Sequence, residues 1–171
     1  MKAYKVHEYG DAAKFIESEV NKPGATSGHI VIEVKATSLN PVDHKILKLD
    51  LEINPALPAT LHMDVAGVIV EVGDGVTDFK IGDEVYGCAG GLQGRAGNIE
   101  GALADFMLAD SSLIALKPKS LSFSEAAALP LVSITAWEGL FDRAHINTDD
   151  HVLIHAAAGG VGHIAIQLAK Q

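Results

Sequence analysis

The chain has 171 residues, 48% of them apolar, with 13 Lys plus Arg against 22 Asp plus Glu and a formal net charge of −9. That length and apolar content suffice for one sizeable domain, or for one domain and part of another, and the acidic balance argues against a nucleic-acid backbone or an anionic membrane as partner. The single cysteine, Cys88, excludes an internal disulfide framework, and the opening Met1-Lys2-Ala3-Tyr4 lacks the apolar core of a secretion signal, so the expected compartment is the cytoplasm.

In chain order, four β-branched runs come first: Ala3 to Val6, His29 to Ala36, Val65 to Val72 and Asp83 to Cys88. Turn signals separate them at Lys22-Pro23-Gly24, Asn40-Pro41, Gly73-Asp74-Gly75 and Ala89-Gly90-Gly91. Short strands with glycine turns predict a small barrel. Pro41 suits a first helical turn that Val42 to Ile46 continue. The character changes at Ser122, a helix cap followed by Phe123 to Leu129, with a second apolar helical segment over Leu131 to Phe141. Asn147 to Asp150 reads as a turn, His151 to His155 as a strand, Ala156 to Gly162 as a small-residue turn, and His163 to Gln171 as a helix.

That last strand, turn and helix have the order a nucleotide pyrophosphate needs. Small Ala157 permits a tight turn, Gly159 removes a Cβ that blocks phosphate approach, and Gly162 lets the helix lie close to its strand. Helix amides then face the anion, with Ala158, Gly160 and Val161 completing the loop. The pattern is Ala-x-Gly-x-x-Gly, and its weight rests on the flanking strand and helix. An apolar strand-turn-helix that binds nothing stays open on this segment alone.

Six motifs follow one another along the chain: Ser38-Leu39-Asn40-Pro41-Val42-Asp43, Asp64 to Ile69 with Val72-Gly73, Gly82-Asp83-Glu84-Val85, Ala126 to Pro130, Thr135-Ala136-Trp137, and Gly159-Gly160-Val161-Gly162. In this order and spacing the chain resembles the medium-chain dehydrogenase/reductase superfamily, and within it the zinc-independent quinone oxidoreductase branch that includes zeta-crystallin. The resemblance implies a mixed α/β fold: a GroES-like β-barrel catalytic domain over residues 1–125, then over 126–171 the first β-α unit of an incomplete, doubly wound Rossmann domain. It also implies an active site in the cleft between such domains, where water is excluded and a nicotinamide is held against an enone carbon. NADPH is the implied cofactor ahead of NADH, a quinone or other small carbonyl compound the substrate, and a homodimer the full-length assembly.

Zinc alcohol dehydrogenases of the same superfamily hold their metal with cysteine and histidine. By the resemblance, Asn40, Met63 and approximately Leu131 stand in those places, and an amide, a thioether and an alkyl chain make no site for divalent zinc. The structural zinc lobe needs four close cysteines, where this chain has only Cys88. No metal is expected. His62 stands where the family pattern has glycine or another small residue; it is hydrogen-bonded structure in preference to a ligand. His151 and His155 share a strand face without the clamp a helix gives, and His163 is expected at the surface.

Reducing a conjugated carbonyl without zinc takes a hydride donor, a group polarising the carbonyl and a proton source. Asn40 is the leading residue for positioning nicotinamide or substrate, and Thr135 matches a family threonine beside the nicotinamide. Both retain local readings, Asn40 as an Asn-Pro turn residue and Thr135 as a hydroxyl bonding its own helix. Asp43 either orders water or the cofactor ring, or is an acid in a first helical turn. Lys45 stands where close relatives have a tyrosine over the active site, and either polarises a carbonyl or points to solvent. The loop from Ala89 to Gly101, with seven glycines and alanines plus Arg95, is a candidate mobile rim.

The residue that selects NADPH or NADH through the ribose falls about twenty residues past the glycine turn, beyond Gln171. One β-α unit makes no doubly wound sheet, and its strand lacks neighbours on both edges. The 171 residues alone are therefore expected not to turn over. Two alternatives remain beside the zinc-free reductase: a zinc-type alcohol dehydrogenase relative, and a non-catalytic GroES-like binding or structural protein.

Overall fold

A computed structural model describes residues 1–49, 51–94 and 97–171. Arg95 lies outside the described residues. They divide into two compact units, Met1–Ala128 and Leu129–Gln171.

The first unit is mixed α/β and dominated by antiparallel sheet. Its centre is β3 (His29–Thr37), flanked by β5 (Asp64–Val72) and β9 (Phe106–Asp110), with β6 (Glu84–Cys88) and β10 (Ile114–Leu116) extending the sheet in the order β10-β6-β5-β3-β9. Ile30, Val31 and Ile32 are fully buried in succession, as a strand covered on both faces requires. Ile30 and Ile32 pack with Val65, Ile69, Val85 and Met107 to make the main core. A second sheet, β2-β1-β4, joins β1 (Lys2–Val6) to β2 (Ile16–Glu19) and β4 (Ala59–Thr60). The expected barrel is thus built from two sheets, linked at the Ala3–Ala104 bridge and by the Tyr4 amide donating to the Leu103 carbonyl at 2.9 Å. Two short antiparallel strands, β7 (Leu92–Gly94) and β8 (Gly97–Ile99), fall within the segment read as a rim.

Two helices finish this unit. Helix α1 (Pro41–Lys48) starts at its proline and buries Ile46 against Val6, Ala59 and Leu61. Helix α2 (Phe123–Ala127) carries a capping box: the Ser122 amide donates to Glu125 Oε2 at 2.8 Å, and Ser122 Oγ accepts the Glu125 amide at 3.3 Å. Its Ala126 and Ala127 pack on Ala66 of β5.

The second unit packs α3 (Pro130–Trp137), a π-helical turn over Glu138–Arg143 and α4 (Gly160–Leu168) around Ala136, Leu140 and Ala165. The expected strand at His151 to His155 does not form; residues 151–154 carry no ladder and Leu153 is 81% exposed. A strand exists by pairing, and among the described residues this run has no partner. The last helix begins at Gly160, three residues ahead of the expected His163. No described helix is long and apolar enough to cross a membrane.

Candidate active site

The turn from β3 into α1 gathers a buried polar cluster. Asn40 is the N-cap of α1, in an extended conformation that turns its side chain back toward the start of β5. Asn40 Nδ2 donates to Asp64 Oδ2 at 2.8 Å and to Ser38 Oγ at 3.2 Å, and Ser38 Oγ donates to the same carboxylate oxygen at 2.7 Å. Both amide hydrogens are then committed, which fixes the amide plane. Thr37 Oγ1 donates to the Asp64 carbonyl at 2.7 Å. Asp64 is wholly buried, so these donors are what make its charge tolerable there.

Asp43 sits one turn into α1 and is 3% exposed. Its Oδ2 accepts the Asn40 amide at 2.7 Å, whereas Oδ1 is buried with no partner among the described residues. Burial pushes the Asp43 carboxyl above the usual carboxylate range, against the pull of the Asn40 amide and of His62. Cys88 lies across from Asp64 in the β5–β6 ladder. Burial, the Asp64 charge and a hydrogen bond to Asp64 push its thiol up to about 12, so it stays protonated at neutral pH.

His62 closes the cluster. Its backbone has φ 74°, a left-handed conformation that costs a non-glycine residue roughly 1–2 kcal/mol. The ring meets Phe15 edge-on at 6.1 Å, and Nδ1 lies 3.5 Å from Thr37 Oγ1. Gly91, itself at φ 71°, rests on the His62 backbone so closely that a Cβ there would stand 3.0 Å from its N, C and O atoms. Burial holds the imidazole below its ordinary value, with Asp43 and Asp64 opposing.

The structure thus brings Asn40 and Asp43 together and leaves Lys45 exposed, two residues further along α1. Thr135, in the second unit, donates its hydroxyl to the Leu131 carbonyl at 2.8 Å. In the glycine turn, Ala156 has φ 55° and its carbonyl accepts the Gly159 amide at 2.9 Å. A Cβ on Gly162 would overlap the Ala156 carbonyl oxygen and come within 2.7 Å of Ala157 Cα, so helix and turn touch backbone to backbone. Gly159 caps α4 without a side chain, leaving the opening amides of Gly160, Val161 and Gly162 to whatever approaches the helix end. His163 is exposed, as expected, and its Nδ1 bonds the Gly159 carbonyl at 2.9 Å. Sequence reasoning missed Ser38, Thr37, Asp64 and Cys88 as parts of one cluster. The available signal was Asp64, a charge at the head of an apolar strand.

The family model for the alcohol dehydrogenase GroES-like domain matches residues 26–119. The chain belongs to this family, within the medium-chain dehydrogenase/reductase superfamily. Its similarity extends to the 2-methylene-furan-3-one reductase of Solanum lycopersicum, 43% identical over 174 residues, covering 99% of this chain and 44% of that protein. The chloroplastic NADPH-dependent alkenal/one oxidoreductase of Arabidopsis thaliana is 40% identical over 173 residues, with the same two coverages. Among solved structures, the Escherichia coli quinone oxidoreductase complexed with NADPH superposes with a TM-score of 0.83 at 32% identity, over 99% of this chain and 49% of that one. The chain therefore spans about half the length, or somewhat less, of these relatives. Its place among quinone oxidoreductases and alkenal reductases agrees with the branch that the six motifs pointed to.

Proposed function

We propose that this chain serves the NADPH-dependent reduction of quinones and other conjugated carbonyls, as the N-terminal part of a zinc-free oxidoreductase. On this reading residues 1–125 are the GroES-like catalytic domain and residues 126–171 begin the nicotinamide-dinucleotide-binding domain. The carrying observation is the contact at Gly162, where helix and turn leave no room for a Cβ. That cradle suits a pyrophosphate over Ala157 to Gly162, with the helix amides as donors. NADPH as donor is supported by the printed names of the Arabidopsis relative and the Escherichia coli structure.

When bound, the coenzyme supplies a hydride. The chain's own residues have two other tasks. Asn40, its amide plane fixed by Asp64 and Ser38, holds a ligand in one orientation. The net reduction also consumes one proton, and Asp43 is the group suited to hold it, because burial favours its neutral form. Thr135 enters as a contact to the nicotinamide on resemblance alone, its hydroxyl being engaged with its own helix. Lys45, exposed, is reserved for a substrate that reaches over α1.

The donor set supports the absence of zinc: Asn40 directs its N–H groups inward, and Met63 and Leu131 offer a thioether and an alkyl chain. Unpaired Cys88 supports a reducing compartment, for which cytoplasm is our reading, and a homodimer is our reading of the full-length assembly. The test is NADPH consumption by the purified full-length protein with an enone and with a quinone, alongside metal analysis of the same sample. Turnover with either acceptor, faster with NADPH than NADH and without stoichiometric zinc, is expected. No coenzyme oxidation with any acceptor, or activity lost on zinc removal, overturns the reading.

A further inference from the structure

Phe106 and Leu108 of β9 alternate with Met107 and Ala109, and of the four only Met107 and Ala109 belong to the main core. Phe106 and Leu108 therefore stand on the opposite face of the strand, toward β1 and the residues that follow β2. There they line a cavity of about 290 Å³ together with Ala3, Lys5, Val20 and Ala104. Ala3 and Ala104 form the bridge between the two sheets, and their single methyl groups leave the space that longer side chains would fill. Small-molecule sites run from roughly 300 Å³ upward, so this volume suits a compact ligand.

The charged part of the lining is one ion pair. Lys5 Nζ meets Glu100 Oε1 at 2.8 Å, and Glu100 Oε2 accepts the Thr60 amide at 2.8 Å. Both carboxylate oxygens are thus engaged and the ammonium is compensated, so neither an anion nor a cation finds a free countercharge here. An ammonium has three donors, however, and beyond Glu100 the acceptor that Lys5 meets is the Pro58 carbonyl at 3.5 Å, the long limit of a hydrogen bond. A donor is left for a neutral acceptor, on a side chain only 15% exposed. Lys22 steadies the aromatic wall, its Nζ 4.8 Å from the Phe106 ring centroid and bonded to Glu71 Oε1 at 2.7 Å. We propose that this cavity binds a small neutral carbonyl compound, its apolar body against Val20, Phe106 and Leu108 and its oxygen accepting from Lys5 Nζ. The cavity shares no lining residue with the Asn40–Asp43–Asp64 cluster, so the ligand is held apart from that cluster.

The test is titration of the full-length protein with acetophenone and with ethylbenzene, which has the same body without the oxygen, read by the methyl NMR signals of Ala3, Val20 and Leu108. Wild type should show saturable shifts at these methyls, with acetophenone at least about fivefold tighter than ethylbenzene, the effect of one hydrogen bond. Lys5→Met keeps the apolar stem and removes the donor, and should erase that preference; Glu100 is already 53% exposed, so the variant should fold. Leu108→Trp fills the cavity and should abolish both sets of shifts, with circular dichroism checking the fold; where it does not fold, Lys5→Met carries the test. The proposal is overturned by wild type showing no saturable shift, by equal affinity for the two probes, or by a preference for acetophenone that survives Lys5→Met. NADPH oxidation is no part of this readout, so its outcome is separate from that of the enzyme assay.

Discussion

Replacing Asp64 by asparagine should release the Cys88 thiol. The two residues face each other as partners in the β5–β6 ladder, and opposed Cα atoms in an antiparallel pair stand roughly 4.5–5.5 Å apart. A unit charge about 5 Å away, at an effective dielectric near 20, contributes about 3 kcal/mol, or roughly two pKa units. That is an upper figure, because Ser38 and Asn40 draw the Asp64 charge toward themselves and burial is the larger influence on the thiol. Asp64→Asn should therefore lower Cys88 by about one to two units from about 12, leaving it above the ordinary 9.0. With one cysteine in the chain, alkylation read by intact mass reports this site alone. At pH 9 the variant should alkylate roughly ten- to a hundredfold faster than wild type. Equal rates, or a wild-type thiol that ionises near its ordinary value, would refute the charge placement argued for Asp64.

Three further outcomes are expected. Asn40→Ala removes a charge-assisted donor from a buried carboxylate and should cost about 1.5–3 kcal/mol in denaturant unfolding, and Asn40→Asp, which sets a second carboxylate against Asp64, should cost more. Gly162→Val drives a branched side chain into the Ala156–Ala157 backbone, and in the full-length protein NADPH titration should show affinity reduced by more than tenfold. The pH dependence has a definite sign: Asp43 binds its proton more tightly folded than unfolded, so its stabilising contribution is complete below about 3.8 and is lost as pH rises through the higher folded midpoint. Asp43→Asn should accordingly gain on wild type in urea unfolding as pH rises through that window, while His62, held low by burial, loses stability below about 6.5.

Much of this molecule was legible from residue patterns. The runs at Ala3 to Val6, His29 to Ala36, Val65 to Val72 and Asp83 to Cys88 lie on four of the observed strands, because β-branched residues in long central strands carry their own signal. Proline at the start of α1 and the Ser122 capping box marked two helix starts. The strands passed over were short or polar, such as Ile16–Glu19 and the two-residue Ala59–Thr60, whose existence depends on β1 lying alongside. The reverse error came at His151 to Ile154, where a strong strand pattern has no partner to pair with.

The polar cluster was half legible for a different reason. Asn40 and Asp43 stand three residues apart and announce each other as an N-cap and its first-turn acid, a local relation that a sequence shows. Asp64 enters from 24 residues away and Cys88 from the next strand, and only the β3–β5–β6 pairing places them under Asn40. His62 carried the least local signal, since nothing in a histidine announces a left-handed backbone. Its mismatch with the small residue of the family pattern was that signal in disguise: glycine suits the position because φ is positive there. Histidine at such a position bears the cost of a left-handed backbone, and it is held there by the Ala102 amide on its carbonyl and by Phe15 and Thr37 against its ring, all of them contacts from distant parts of the chain.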